Sequence, residues 1–157
     1  MTLASAFGTS IQSVRTRSFD MGGHTFKVKV PLTAETEAMF DRIKSIDETK
    51  AEAHYVSLSK EFLNNREKYA TDPEIVYNEN DIVVKGYSLR ETSRNKVMTE
   101  TRVVEMVKLL VPENSDFDMS SVTYDQIEEL FPFAIQLELI EQIANCISPN
   151  YTANKGK

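Results

Sequence analysis

The sequence predicts an α+β fold, mostly helical, in which an N-terminal β-hairpin, extended by short strands near 75–84, packs on a bundle of about five helices. Three observations predict it. Alternating residues flank a Gly22-Gly23 pair near the start. Apolar residues recur at helical spacing through the middle of the chain. The stretch Val122–Ile147 combines dense apolar patterning with sharp helix punctuation.

With 157 residues the chain reads as one globular domain over 15–147, preceded by a mobile arm over 1–14 and followed by a loose tail over 148–157. The arm is small and polar, with isolated Leu3, Phe7, Ile11 and Val14 and no convincing cap. After it, Thr16–Asp20 and Thr25–Val30 alternate, with Phe26, Val28 and Val30 on one side and Thr25, Lys27 and Lys29 on the other. Met21-Gly22-Gly23-His24 supplies the positive φ values of a tight turn, and His24 there is expected in solvent. Arg15, Arg17, Lys27 and Lys29 make this end locally basic, a charge that could meet the acidic end of a neighbouring copy.

Pro31 stops the second strand, and Thr33 caps a helix whose core face is Met39, Phe40, Ile43 and Ile46. A second helix follows over about 49–69, with Tyr55, Val56, Phe62, Leu63 and Tyr69 apolar. His54 within it is a surface or half-buried residue rather than a ligand, because His24 is the only other histidine and no carboxylate cluster accompanies it. Ile75–Tyr77 and Ile82–Val84 are short strands that could extend the first hairpin. A long helix is expected over about 89–111, with Val97, Thr101, Val104, Val107 and Val111 on one face and Pro112 just past its end.

The last helical stretch begins at Thr123, an N-cap in a capping box with Gln126, with Val122 stapled onto Ile127. Pro132 costs an internal hydrogen bond in mid-helix but nothing at the start of one, so a short helix to about Phe131 and a second from Pro132 are expected. Phe133, Leu137, Ile140, Ala144 and Ile147 define one face of that second helix, assigned to the core, while Ile135, Leu139 and Ile143 form another stripe beside it. A helix buried on two sides is one reading; the other makes Ile135, Leu139 and Ile143 the candidate partner-binding face.

Charge is distributed unevenly. The net formal charge is −6. From Leu109 to Asn154 there are eight acids and no Lys or Arg. Such a surface repels phosphate and argues against a nucleic-acid partner; it serves either solubility or the docking of a basic partner. A helix-turn-helix across Leu130-Phe131-Pro132 fails for the same reason, because Glu138 and Glu141 stand on the would-be recognition helix.

Chemistry for catalysis is not assembled in the sequence, and no enzyme, cofactor or metal site is expected. The five glycines are scattered, so there is no phosphate loop, and Glu128-Glu129 are adjacent in a helix and point apart. Ser59 and Ser120 sit in no elbow-like motif. Cys146, the single cysteine, is expected as a small buried hydrophobe, which suits a reducing cytosol. No apolar run approaches membrane-spanning length, and MTLASAFGTS lacks the form of a signal peptide, so a cytoplasmic location and no membrane partner are expected.

The hairpin ending His24-Thr25-Phe26-Lys27-Val28-Lys29-Val30-Pro31, the helical middle, and the acidic finish from Phe131-Pro132-Phe133 to Ser148-Pro149-Asn150-Tyr151 together resemble the tail assembly chaperones of long-tailed bacteriophages. The resemblance spans most of 19–157 and is one of pattern, without a catalytic signature. It implies a non-virion protein of the infected host cytoplasm that binds and solubilises the tape measure protein; copies lining one client would also touch each other, with the hairpin offering an open edge, so self-association is expected. It also implies a longer product of a ribosomal slip that recruits tail tube protein; Lys155-Gly156-Lys157 can be encoded by a run of G followed by a run of A. A structural virion subunit, a tail or connector component, is the alternative.

Overall fold

A computed structural model of the chain describes residues 1–152. The fold is α+β and mostly helical, as the sequence predicts. The chain gathers into two compact units, Met1–Phe40 with the chain from Arg102 onward, and Asp41–Thr101.

The first unit opens with α1 (Leu3–Phe7) and a 3₁₀ helix over Thr9–Arg15. No cap was legible here, yet Thr2 and Ser5 form a capping box, the Ser5 amide donating to Thr2 Oγ1 and the Thr2 amide to Ser5 Oγ. The arm therefore has local structure, although no residue of either helix is buried. Strands β1 (Thr16–Met21) and β2 (His24–Lys29) then pair antiparallel from Thr16↔Lys29 to Met21↔His24. Gly22 and Gly23 take φ of 61° and 79°, the two positive values that a two-residue turn needs to match strand twist. Phe19 and Phe26 face each other with ring centroids 5.1 Å apart, and Phe19 and Val28 are buried on that side of the ladder. The opposite side carries Thr25, Lys27 and Lys29 in solvent.

The outer edge of β2 is covered by the chain after the long helix. The Lys29 amide donates to Leu109 O at 2.9 Å and the Val111 amide to Lys27 O at 2.8 Å, with Leu110 bridged to Val28. The helix expected to run to 111 therefore stops at 107. Val111 precedes Pro112, which disfavours helical backbone there, and an extended 109–111 satisfies its amides and carbonyls on the hairpin. The short strands near 75–84 do not extend this hairpin; they belong to a separate sheet in the second unit.

In that second unit, α2 (Thr33–Lys44), which starts in the first unit, leads to α3 (Glu48–Asn64). Asp47 caps α3 by accepting from the Thr49 and Lys50 amides. The expected end near residue 69 moves back to Asn64, because Asn65 leaves helical geometry and its side-chain amide donates to Glu61 O at 2.9 Å. Strands β3 (Ile75–Tyr77), β4 (Ile82–Val84) and β5 (Tyr87–Ser88) form an antiparallel sheet in the order β3-β4-β5, and α4 (Leu89–Val107) follows directly. Tyr55, Ile82 and Leu89 make the core here, with Phe62, Ile75, Tyr77 and Val84 packed on it. Three acid-base pairs link α3 to α4: Glu48 with Arg94, Glu52 with Arg90 at 2.6 Å, and His54 with Glu100 at 3.1 Å. His54 is half-buried, as expected.

Asp81 starts α4. Its Oδ1 accepts the Ile82 amide at 2.8 Å and the Arg90 amide at 3.1 Å, its Oδ2 accepts the Ser88 hydroxyl, and Ser88 Oγ in turn accepts the Glu91 amide at 3.1 Å. Arg90 also lies over the Tyr55 ring at 3.8 Å. Burial alone raises the Asp81 carboxyl, but the Ser88 hydroxyl, the two amides and the Arg90 charge outweigh it and hold its pKa below the usual value. A depressed folded-state pKa stabilises the fold above the unfolded value, and that contribution is lost as pH falls through the folded one. Asp81→Ala is expected to cost about 1–2 kcal/mol at neutral pH, the usual size of a lost cap. Below about pH 4 its urea-unfolding free energy should converge on that of the wild type, and curves that stay parallel down to pH 2 would contradict this role for Asp81.

Candidate partner-binding face of the C-terminal helix

The acidic end of the chain folds as α5 (Tyr124–Leu130) and α6 (Phe133–Ile147) within the first unit. The capping box at Thr123 forms as the sequence predicts, the Gln126 amide donating to Thr123 Oγ1 at 3.3 Å and the Thr123 amide to Gln126 Oε1 at 3.0 Å. Val122 and Ile127, the stapling pair, are both buried. Pro132 sits at the junction with φ −57° and ψ 153°, and the two helices turn by 110°.

A residue that sequence reasoning passed over holds this corner. Gln136 has no exposed surface; its Nε2 donates to Phe131 O at 2.9 Å, and its Oε1 accepts the Tyr124 hydroxyl at 3.0 Å. One side-chain amide thus joins the start of α5, the proline junction and the first turn of α6. The other end of α6 is held by Arg17 from β1, whose guanidinium donates to Cys146 O at 2.6 Å and Ser148 O at 2.9 Å. A cation on the last carbonyls of a helix is favoured by their unpaired lone pairs and by the helix dipole. Arg17 also stacks on Tyr151, whose hydroxyl donates to Ser18 O at 2.9 Å, so the tail is pinned to β1 as far as it is described. Lys155-Gly156-Lys157 lie outside the described residues.

Between these two fastenings α6 lies against both hairpin strands. Its buried residues are Gln136, Leu139, Ile143 and Cys146. The assignment of its faces is therefore the reverse of the expected one. Leu139 and Ile143 are 0% exposed and Ile135 is half-buried, so that stripe is core and is closed to a partner in this fold. Phe133 and Leu137, expected inside, are 54% and 42% exposed; Ile140 is half-buried and Ala144 exposed. Leu130 at the end of α5 is 71% exposed as well. Cys146 is buried as expected, and burial pushes its thiol up against the lowering effect of Arg17, which makes it a poor nucleophile.

The outward face of α6 is thus apolar, through Phe133 and Leu137, and flanked by exposed Glu138 and Glu141. Such a face can hold an apolar side chain from another chain while its carboxylates repel acidic surfaces. Among the described residues no cluster of His, Cys, Asp or Glu could hold a metal ion, and no single helix is long and apolar enough to cross a membrane. His24 stands 3.6 Å from Glu113 and edge-on to Phe26, half exposed at the turn.

Comparison with protein-family models, with curated proteins and with solved structures finds no match to this chain.

The two faces make opposite demands on substitution. Leu139→Ala should cost about 2–5 kcal/mol, since it leaves a cavity between helix and hairpin, whereas Leu137→Asp should stay within about 0.5 kcal/mol of wild type in urea unfolding. Equal losses at the two positions would contradict the placement of α6.

Proposed function

We propose that this protein is a non-covalent binding factor of phage tail morphogenesis, a tail assembly chaperone that holds the tape measure protein soluble in the host cytoplasm until tail tube protein replaces it. The observation that carries the reading is the outward face of α6, with Phe133 and Leu137 exposed in a segment that has eight acids and no base. A long helical client needs many modest apolar contacts that can later be released, and a small apolar face ringed by carboxylates supplies one such contact per copy while limiting indiscriminate aggregation. Copies lining one client also come into contact with each other, so self-association belongs to the same reading. A longer product of a slip near Lys155-Gly156-Lys157 would bring the tube protein to the complex.

Co-expression tests this. The wild-type chain should move the tape measure protein into the soluble fraction and co-purify with it, and Leu137→Asp should abolish both effects while keeping its own far-UV circular dichroism and melting temperature. Failure of the wild type to solubilise that client would overturn the chaperone reading. Recovery of the chain in stoichiometric amounts from purified particles would favour the structural-subunit alternative.

A further inference from the structure

The arm over residues 1–15 is organised yet unused by the core of its own unit. Its capping box presets α1, and Gly8, at φ 83°, turns the chain back so that α1 and the 3₁₀ helix lie together. Between them runs an open cleft of about 310 Å³, lined by the apolar Leu3, Ala4, Phe7, Ile11 and Val14 together with Gln12 and Arg15. Leu3, Phe7 and Val14 are 77%, 62% and 73% exposed. Ordered backbone that presents apolar side chains to water without burying them gains nothing from the hydrophobic effect in the monomer.

The same unit carries the complementary part. Phe133 and Leu137 project from α6 one helical turn apart, so both can enter one apolar cleft. Charge does not oppose the fit: residues 1–19 hold no acid and two arginines, Arg15, which lines the cleft and pairs with Glu35 at 3.0 Å, and Arg17 on β1, whereas 109–152 hold eight acids and no base. Arg17 is bonded to carbonyl oxygens, so these bonds bring no carboxylate to cancel its charge.

We propose that the arm of one copy docks on the α6 face of a second copy, with Phe133 and Leu137 seated in the cleft between α1 and the 3₁₀ helix. Each copy has one arm and one face, so docking either closes a two-fold pair by mutual exchange or propagates through further copies. This is self-association of the client-free protein, and it rests on the α6 face named in the proposed function. The face is also the one offered to the client, so a docked arm shields it until the client displaces it.

Sedimentation velocity on single variants and on their mixture tests the contact. Wild type should associate at tens of micromolar. Phe7→Ser and Leu137→Asp alter exposed side chains, so both should keep the wild-type melting temperature, and each alone should associate at least about tenfold more weakly. An equimolar mixture of the two still contains one intact arm and one intact face per pair, and should give a dimer and nothing larger. A monomeric wild type would overturn both the docking and the self-association. An associating wild type with either variant unaffected, or with a mixture that associates no more strongly than the two variants do separately, would overturn the arm-to-face contact and leave self-association by another surface standing. None of these outcomes depends on binding of the tape measure protein.

Discussion

The rotation of α6 about its own axis is the constraint on which the first unit depends. The helix is apolar on more than one side, and hydrophobic burial has no direction: at about 25 cal/mol per Å², Phe133, Leu137 and Ile140 stabilise a core as well as Ile135, Leu139 and Ile143 do. Polar groups break the tie. The Gln136 amide, fully buried, satisfies Tyr124 and Phe131 only when that stripe faces inward. A buried group left without its partner costs about 1–3 kcal/mol, enough to choose one rotation over another. Arg17 performs the matching role at the far end by holding the last carbonyls of the helix over β1.

With α6 set this way, the hairpin is closed on several sides. Its apolar face meets the helix, the outer edge of β2 is taken by Leu109–Val111, and the tail at Tyr151 bonds to Ser18 on β1. The basic residues near the hairpin serve mainly their own unit, Arg15 pairing with Glu35 at 3.0 Å and Arg17 reaching α6. What is left facing outward is apolar and acidic at the end of the chain, and apolar without acids at its beginning.

Local chemistry was the most legible part of the sequence. The Gly22-Gly23 turn, the Thr123–Gln126 capping box and the break at Pro132 follow from backbone geometry that only a few residue types satisfy, and each stands where expected. The end of α4 was harder to read, because 109–111 keeps an apolar pattern and gains its extended form from pairing with β2, a contact distant in sequence. The face of α6 was misread although one signal pointed the right way. Cys146 was expected to be buried, and Ile143 and Leu139 stand three and seven residues before it, on the same stripe. Gln136, which sequence reasoning passed over, continues that stripe; its partners, Tyr124 and the Phe131 carbonyl, meet it because the chain turns at Pro132. The arm hid its cap because a Thr-x-x-Ser pair is a weaker signature than one ending in Glu or Gln.

Thiol accessibility along α6 tests this arrangement most directly. With Cys146 replaced by Ala, single cysteines at Leu137→Cys and Leu139→Cys should differ by at least about a hundredfold in their rate of reaction with a neutral disulfide reagent under native conditions, because only the second requires the helix to leave the hairpin. Native Cys146 should react as slowly as the cysteine at 139. Rapid labelling at 139 or 146 with protection at 137 would mean that α6 presents its other face, and the account given for Gln136, Arg17 and the outward Phe133–Leu137 surface would be wrong.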